Sequence, residues 1–87
     1  MPEISRFYGI IIYMYAKDHS PPHFHAKYAE HWVVIEIETG DVMAGSLPRR
    51  ALRLVQDWAE LHKEALTENW NNGQGNSPNF IKIEPLQ

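Results

Sequence analysis

Short runs of aromatic and β-branched residues, separated by turn-forming residues, fill the first half of the chain. Runs of this composition predict β-strands. The predicted strands are Phe7–Ala16, His23–Tyr28, Trp32–Glu38 and a short fourth strand at Asp41–Ala44. The turns between them are short, so consecutive strands are expected to pair antiparallel, and residues 1–6 form a lead-in.

The second half of the chain has the period of an amphipathic helix. At about 100° per residue, one half of the helical wheel is apolar and the other half is charged or polar. Pro48 suits the first turn of this helix, and Asn71-Asn72-Gly73 suits a left-handed end. The pattern therefore predicts one long helix from Pro48 to about Trp70, followed by a loop and a short edge strand at Phe80–Glu84.

These elements predict an α+β fold in a single domain, residues 1–87. The expected architecture is an antiparallel meander of three or four strands, with one long C-terminal helix packed on one face. Strand alternation places Phe24, Ala26 and Tyr28 on the face that meets the helix. The opposite face, called the open face below, is expected to carry Ile11, Tyr13, Tyr15, His23, His25, Lys27, Trp32 and Val34.

A monomer rarely exposes so large an apolar and aromatic patch, and one helix covers only one side of a sheet. The open face is therefore expected to bind a second copy of the chain or another protein. The residues predicted to make that contact are Tyr13, Tyr15, His23, His25, Trp32 and Val34.

Composition narrows the class of protein. The 87 residues are 44% hydrophobic and 22% charged, which favours a globular domain over a disordered one. The chain has no cysteine, so disulfides and thiolate metal sites are excluded. A formal charge of −3 does not favour nucleic acid as a partner. No signal peptide and no apolar run of membrane length is recognisable, so a cytosolic protein without a membrane partner is expected.

The stretch Asp18–Tyr28 holds the candidate chemistry, because three of the five histidines lie in it. His23 and His25 are two residues apart on a predicted strand, so their rings point to the same side, about 6–7 Å apart at Cβ. That spacing suits two ligands of one divalent metal ion, with a third ligand from Asp18, His19 or Glu36.

Two other interpretations of these histidines stay open. In the first, His23 and His25 are a general acid–base pair that acts with Lys27, as in a metal-free phosphodiesterase site. In the second, the rings only pack and form hydrogen bonds on a half-buried aromatic surface. Neither of these two interpretations requires a cofactor, whereas the metal-site interpretation calls for a divalent metal ion.

Two further groups lie in or near the predicted helix. His62 falls on the apolar side, where a buried ring with one hydrogen bond is expected, away from the strand histidines. Arg49, Arg50 and Arg53 cluster in the first turns, where a bound phosphate or acidic partner would gain from the helix dipole. The alternative for these arginines is a solvated face, balanced by acidic residues one turn further on.

The chain resembles a prokaryotic family of unknown function marked by a Pro-Pro-His-Phe-His signature, and the resemblance spans nearly its whole length. The residues that carry it are Phe7-x-Gly9-Ile10 through Met14-Tyr15, Asp18-His19-x-Pro21-Pro22-His23-Phe24-His25, Ile37-Glu38-Thr39-Gly40, Leu47-Pro48-x-Arg50-Ala51, Trp58-Ala59-x-x-His62, Asn69-Trp70 and Lys82-Ile83-Glu84-Pro85-Leu86.

This resemblance implies a small protein encoded beside a second small protein, in pairs commonly described as toxin–antitoxin-like. It implies a protein partner and gives no catalytic role to any histidine. The function expected from the sequence is therefore a protein-interaction component of such a pair, which binds itself or its partner through the open face. The alternative is a small nuclease-like toxin or a metal-binding protein that uses His23 and His25.

Overall fold

The computed structural model describes residues 2–87 and shows an α+β fold, in which five antiparallel strands precede two helices. The sheet order is β1-β2-β3-β4-β5, so each strand pairs with its neighbour in sequence. The predicted α+β meander is confirmed, but the numbers of strands and helices differ from the prediction. The elements are β1 (Glu3–Phe7), β2 (Ile10–Tyr13), β3 (His23–Tyr28), β4 (His31–Glu36), β5 (Val42–Ser46), α1 (Arg49–Leu61) and α2 (Lys63–Gly73).

The start of the chain is a hairpin, and the prediction of one long strand over Phe7–Ala16 is wrong. Tyr8 and Gly9 have φ values of 50° and 80°. Two consecutive positive φ values are typical of a type I′ turn, which joins two antiparallel strands tightly. Strand β1 thus includes most of the predicted lead-in, while Met1 lies outside the described residues.

The later strands differ from the prediction mainly at their ends. Strand β4 stops at Glu36, two residues early, although Ile37 is still buried and its N–H donates to the carbonyl of Pro22 at 3.0 Å. Strand β5 continues to Ser46 through Gly45, whose φ is 74°. A Cβ at Gly45 would collide with the carbonyl oxygen of Trp32, so this edge of the sheet needs a glycine.

The helical half is interrupted at His62, so the prediction of one long helix is wrong. His62 has φ −119° and ψ 27°, and its N–H is shared between the carbonyls of Trp58 and Ala59 at 3.1 and 3.2 Å. The interruption redirects the apolar side of the helix. Leu61 just before it is 72% exposed, whereas Leu66 beyond it is fully buried.

The C-terminal end of α2 is close to the predicted one, but its capping is different. Gly73 is the last residue of α2 and does not have a positive φ. Its small size instead allows close packing, because a Cβ there would lie 2.8 Å from the ring of Phe80. The left-handed cap expected at Asn71-Asn72-Gly73 is therefore not formed.

One hydrophobic core lies between the sheet and the helices. Phe24 and Ala26 are fully buried, as strand alternation predicts. Trp58 is at the centre, with ring centroids 5.4 Å from Phe7 and 6.0 Å from Phe24. No helix in the described part of the chain has the length and apolarity needed to cross a membrane.

The C-terminal segment is extended but does not form the predicted strand at Phe80–Glu84. Among the described residues, one backbone hydrogen bond joins it to β1, from the N–H of Ile83 to the carbonyl of Ile4 at 2.7 Å. The side chain of Asn69 holds the segment instead, since it both donates to and accepts from the backbone of Ile81, at 2.8 and 2.9 Å. The indole N–H of Trp58 in α1 also donates to the carbonyl of Glu84 at 2.8 Å, so side chains of both helices replace the ladder that a strand would need.

Candidate metal centre

The loop between β2 and β3 is tied to the end of helix α2. The N–H of Lys17 donates to the carbonyl of Gly73 at 3.0 Å. The peptide bond between Ser20 and Pro21 is cis. This path brings Asp18, the residue after Lys17, back to the first residues of β3.

Asp18, His23 and His25 form a cluster in which one donor atom of each residue lies within 4.8 Å of the others. Oδ2 of Asp18 is 2.9 Å from Nε2 of His23 and 3.5 Å from Nε2 of His25. The other carboxylate oxygen, Oδ1, accepts the backbone N–H of His19 at 2.8 Å. That contact fixes the carboxylate, so its second oxygen points to both rings.

Both nitrogens of the His23 ring are engaged. Nδ1 lies 2.8 Å from the carbonyl of Pro21. A carbonyl can only accept, so Nδ1 carries a proton, and Nε2 of a neutral ring then presents its lone pair to the Asp18 carboxylate. Two acceptors 2.9 Å apart need a proton or a metal ion between them. Metal-binding histidines typically donate their other ring N–H to a backbone carbonyl, as His23 does here.

His25 is held by aromatic rings and not by hydrogen bonds to the backbone. Its ring stacks on Tyr13 with centroids 5.1 Å apart, and Tyr15 meets it edge-on at 5.0 Å. Burial lowers the pKa of His25, and the neighbouring His23 lowers it further, against an opposing effect of Asp18. The ring is therefore neutral near pH 7, with a lone pair available to a ligand.

Asp18 supplies the negative charge of the cluster. Burial alone would raise its pKa, but the hydrogen bond from the His19 amide and the contact with the His23 ring outweigh that effect and hold the pKa below its usual value. The side chains of Asp18, His23 and His25 are 22%, 9% and 17% exposed. The cluster is thus shielded, yet an ion can still reach it from solvent.

The other residues predicted for this site lie around the cluster but not in it. The ring of His19 is exposed and is not one of the three clustered donors. Glu36 pairs with His23 across the strands, and its carboxylate is not part of the cluster either. Lys27 is exposed on β3 and pairs with Trp32 on β4.

The open face is less uniform than the sequence predicts. Trp32 and Tyr15 are 52% and 44% exposed, as a contact surface would require. Tyr13 is buried beneath Tyr15 and His25, and Val34 is half-buried.

His23 departs most from the open-face pattern. It is only 8% exposed, because its ring packs on Trp70 of α2 with centroids 5.1 Å apart. The alternation pattern does not reveal this contact, since it comes from the helix and not from the strand.

His62 is half-buried and its ring packs on Trp58 at a centroid distance of 5.4 Å. Within residues 2–87 its side chain forms no hydrogen bond, so the predicted buried hydrogen bond is wrong. The ring contacts seen in this part of the chain do not join His62 to His23 or His25.

The three arginines Arg49, Arg50 and Arg53 are exposed in the first turns of α1. Among the described residues no ion pair within 4.0 Å joins them to Asp57 or Glu60. No acidic residue stands in the first turn of α1. Arg50 lines a groove of about 480 Å³ with Tyr8, Tyr28 and Leu86, and an anion-binding role for the three remains a prediction.

Comparison with known families gives a match to a domain family that covers most of the chain. A model of a domain of unknown function, DUF4160, matches residues 9–71. The chain belongs to the DUF4160 family. The matched residues include the loop between β2 and β3, strand β3 and helix α1. Asp18, His23 and His25 therefore lie within the DUF4160 domain. Searches of curated proteins and of solved structures give no match.

Membership of the DUF4160 family confirms the resemblance to a family of unknown function. The toxin–antitoxin association and the Pro-Pro-His-Phe-His signature stay predictions. Two parts of the site were missed from the sequence, the Pro21 carbonyl and the Trp70 ring. A backbone acceptor has no sequence signal, and Trp70 lies 47 positions from His23, so neither contact follows from a local pattern.

Proposed function

We propose that this DUF4160 domain binds a divalent transition-metal ion through Asp18, His23 and His25. The observation that carries the proposal is the contact between Nε2 of His23 and Oδ2 of Asp18 at 2.9 Å, with Nδ1 of the same ring committed to the Pro21 carbonyl. A cation between the two atoms removes the repulsion between a lone pair and a carboxylate.

The donor types favour a particular group of metals. Two imidazole nitrogens and one carboxylate oxygen suit Zn²⁺, Fe²⁺, Co²⁺ or Ni²⁺, whereas Ca²⁺ and Mg²⁺ prefer oxygen donors alone. With metal–donor distances of about 2.0–2.2 Å, neighbouring donors of a tetrahedral ion lie about 3.3–3.6 Å apart. Oδ2 of Asp18 lies 2.9 and 3.5 Å from the two Nε2 atoms, close to these values, and the donor atoms of His23 and His25 lie within 4.8 Å of each other.

The same geometry argues against His23 as a general acid or base. A catalytic imidazole needs one nitrogen free for the substrate. His23 has none, because Pro21 and Asp18 occupy both nitrogens. Of these two histidines, only His25 retains a ring nitrogen without a hydrogen-bond partner among the described residues, so the acid–base pair predicted from the sequence has less support than the metal site.

The test is direct measurement of metal binding to the purified chain. Titration with Zn²⁺ in a calorimeter is expected to give one bound ion per chain, and Co²⁺ should give a visible absorption band. Loss of an outer hydrogen-bond partner of a ligand typically weakens metal binding by about 10–100-fold. His23→Ala and His25→Ala each remove a ligand itself, so they are expected to weaken binding by more than that.

His31→Ala is the matched control, because His31 lies on β4 beside Glu30 and outside the cluster. It should bind zinc as the unchanged chain does. Equal binding by His23→Ala and the unchanged chain would refute the assignment.

A second candidate function is the contact with a protein partner that the sequence predicts, in a toxin–antitoxin-like gene pair. The exposure of Trp32 and Tyr15 on the open face favours it. Trp32→Glu is expected to abolish binding of the neighbouring gene product, measured by co-purification. A variant with full binding would contradict this role.

A metal ion with an open position would also serve the predicted nuclease-like activity. RNA cleavage by the zinc-loaded chain, lost in His25→Ala, is the corresponding test. Equal cleavage by this variant would exclude His25 from that activity.

A further inference from the structure

We infer that a second copy of the chain completes the metal site, with its His19 as the fourth ligand. The inference rests on the metal binding proposed above and goes beyond it, because it assigns a role to a residue outside the cluster and a partner to the open face.

The cluster supplies three donors, and zinc in structural sites takes four. The fourth donor must therefore come from outside the cluster. Cavities of about 870, 480 and 310 Å³ in the described part of the chain are not lined by Asp18, His23 or His25. The side chains of Asp18 and His25 are 22% and 17% exposed, so the open position is reached from the surface of the domain.

His19 is the free imidazole nearest in sequence to the cluster. Its backbone N–H holds Oδ1 of Asp18 at 2.8 Å, which fixes its main chain at the rim of the site. Its ring is exposed, forms no hydrogen bond within the described residues, and is not among the three clustered donors. The His19 ring lies next to the metal site of its own chain without binding there, so it can act as a ligand in the metal site of a second copy.

Two-fold symmetry makes this exchange reciprocal. In a symmetric dimer the same patch meets itself, so a residue beside the site on one copy lies beside the site on the other. Each His19 would then enter the open position of the opposite copy, giving two identical sites of three imidazoles and one carboxylate.

The aromatic residues around the site fit such a contact but are too few to hold it alone. Tyr15, which touches His25, is 44% exposed, and Trp32 is 52% exposed on the same face. A stable interface buries about 1,200–2,000 Å² in total. Two exposed side chains per copy fall well short of that area, so the dimer is expected to form only when the metal is bound.

The experiment compares molar mass with and without metal, by light scattering coupled to size exclusion. The unchanged chain should be a monomer in EDTA and a dimer with one equivalent of Zn²⁺ per chain. His19→Ala should still bind one zinc ion per chain, but weaker, and remain a monomer. The control His31→Ala removes another part-exposed histidine and should dimerise as the unchanged chain does.

A mixing experiment separates a bridging ligand from a general surface effect. His19→Ala retains the three clustered donors, and His25→Ala retains His19. An equimolar mixture of these two variants is expected to form a heterodimer with one zinc ion, although neither variant dimerises alone.

A monomer for the zinc-loaded unchanged chain, or a full dimer for His19→Ala, would overturn the inference while leaving the metal site intact. Absence of bound zinc in the unchanged chain would overturn both proposals. Direct metal analysis of the eluted protein distinguishes these two failures.

Discussion

Replacing Asp18 by Asn keeps the shape of the side chain and removes its charge. The substitution distinguishes a metal site from an ion pair between Asp18 and a protonated His23. In the metal-free protein Oδ2 of Asp18 faces Nε2 of His23 at 2.9 Å, while Nδ1 donates to Pro21. When the ring of His23 is neutral, the carboxylate of Asp18 faces a lone pair of Nε2. An amide NH₂ can donate to that lone pair. The free energy of unfolding should therefore change by less than about 1 kcal/mol.

The same substitution should remove most of the stabilisation by metal. A ligand that binds only the folded chain adds about 2.7 kcal/mol when its concentration is 100 times its Kd. For a domain of this length, that gain raises Tm by roughly 10–20 °C. Asp18→Asn replaces a charged ligand by a weaker neutral one, so its gain in Tm should be a small fraction of that shift.

Thermal unfolding followed by circular dichroism, in EDTA and in zinc, measures both effects. His31→Ala, which lies outside the cluster, should behave as the unchanged chain in each condition. A loss of about 2–3 kcal/mol in EDTA would match a hydrogen bond to a charged partner. His23 would then be an imidazolium ion paired with Asp18, and the metal assignment would lose its main support. An equal rise in Tm with zinc for Asp18→Asn and for the unchanged chain would also refute the metal assignment.

Three further predictions concern the core, the C-terminal segment and pH. Leu66 is fully buried, so Leu66→Ala should lower the free energy of unfolding by about 2–5 kcal/mol. Leu61 is 72% exposed, so Leu61→Ala should change it by less than about 0.5 kcal/mol. Equal effects of the two substitutions in urea denaturation would contradict the break at His62. Asn69→Leu removes both hydrogen bonds to Ile81 and should cost about 1–3 kcal/mol, with faster amide exchange in the C-terminal segment. Metal affinity, measured by calorimetry, should fall as pH drops from about 7.5 to about 5.5, since protons compete for the imidazoles, and a flat profile would argue against histidine ligands.

The strands and the core-facing residues follow from the sequence because they depend on a local period. Alternation at Phe24 and Ala26 identifies the buried side of β3. The hairpin at Tyr8-Gly9 was missed since the flanking residues are all compatible with one strand, and only the backbone angles reveal the turn. The break at His62 was missed for a similar reason. A helical wheel assumes one continuous helix, so it does not show the residue at which the apolar side turns away from the core.

The candidate site is only partly visible in the sequence. The spacing of His23 and His25 predicts that two rings lie on one side of a strand, but not which third ligand joins them. Asp18 reaches them because the loop turns back. The ring of its neighbour His19 is not in the cluster, and His19 contributes only its backbone N–H, which orients the Asp18 carboxylate. Whether Asp18 or His19 joins the cluster depends on the direction of the backbone, which the residue types do not reveal.

Helix α2 contributes no ligand, yet the site depends on it from two sides. Trp70 packs on the ring of His23 at 5.1 Å and limits how that ring can turn. The carbonyl of Gly73 holds the N–H of Lys17 at 3.0 Å, and the residue that follows Lys17 is Asp18. Two of the three donors are thus positioned by the last turn of a helix that lies more than forty residues away in sequence, while His25 is positioned by Tyr13 and the sheet. Loosening that last turn should therefore displace Asp18 and His23 relative to His25, and metal affinity should fall although every ligand is still present.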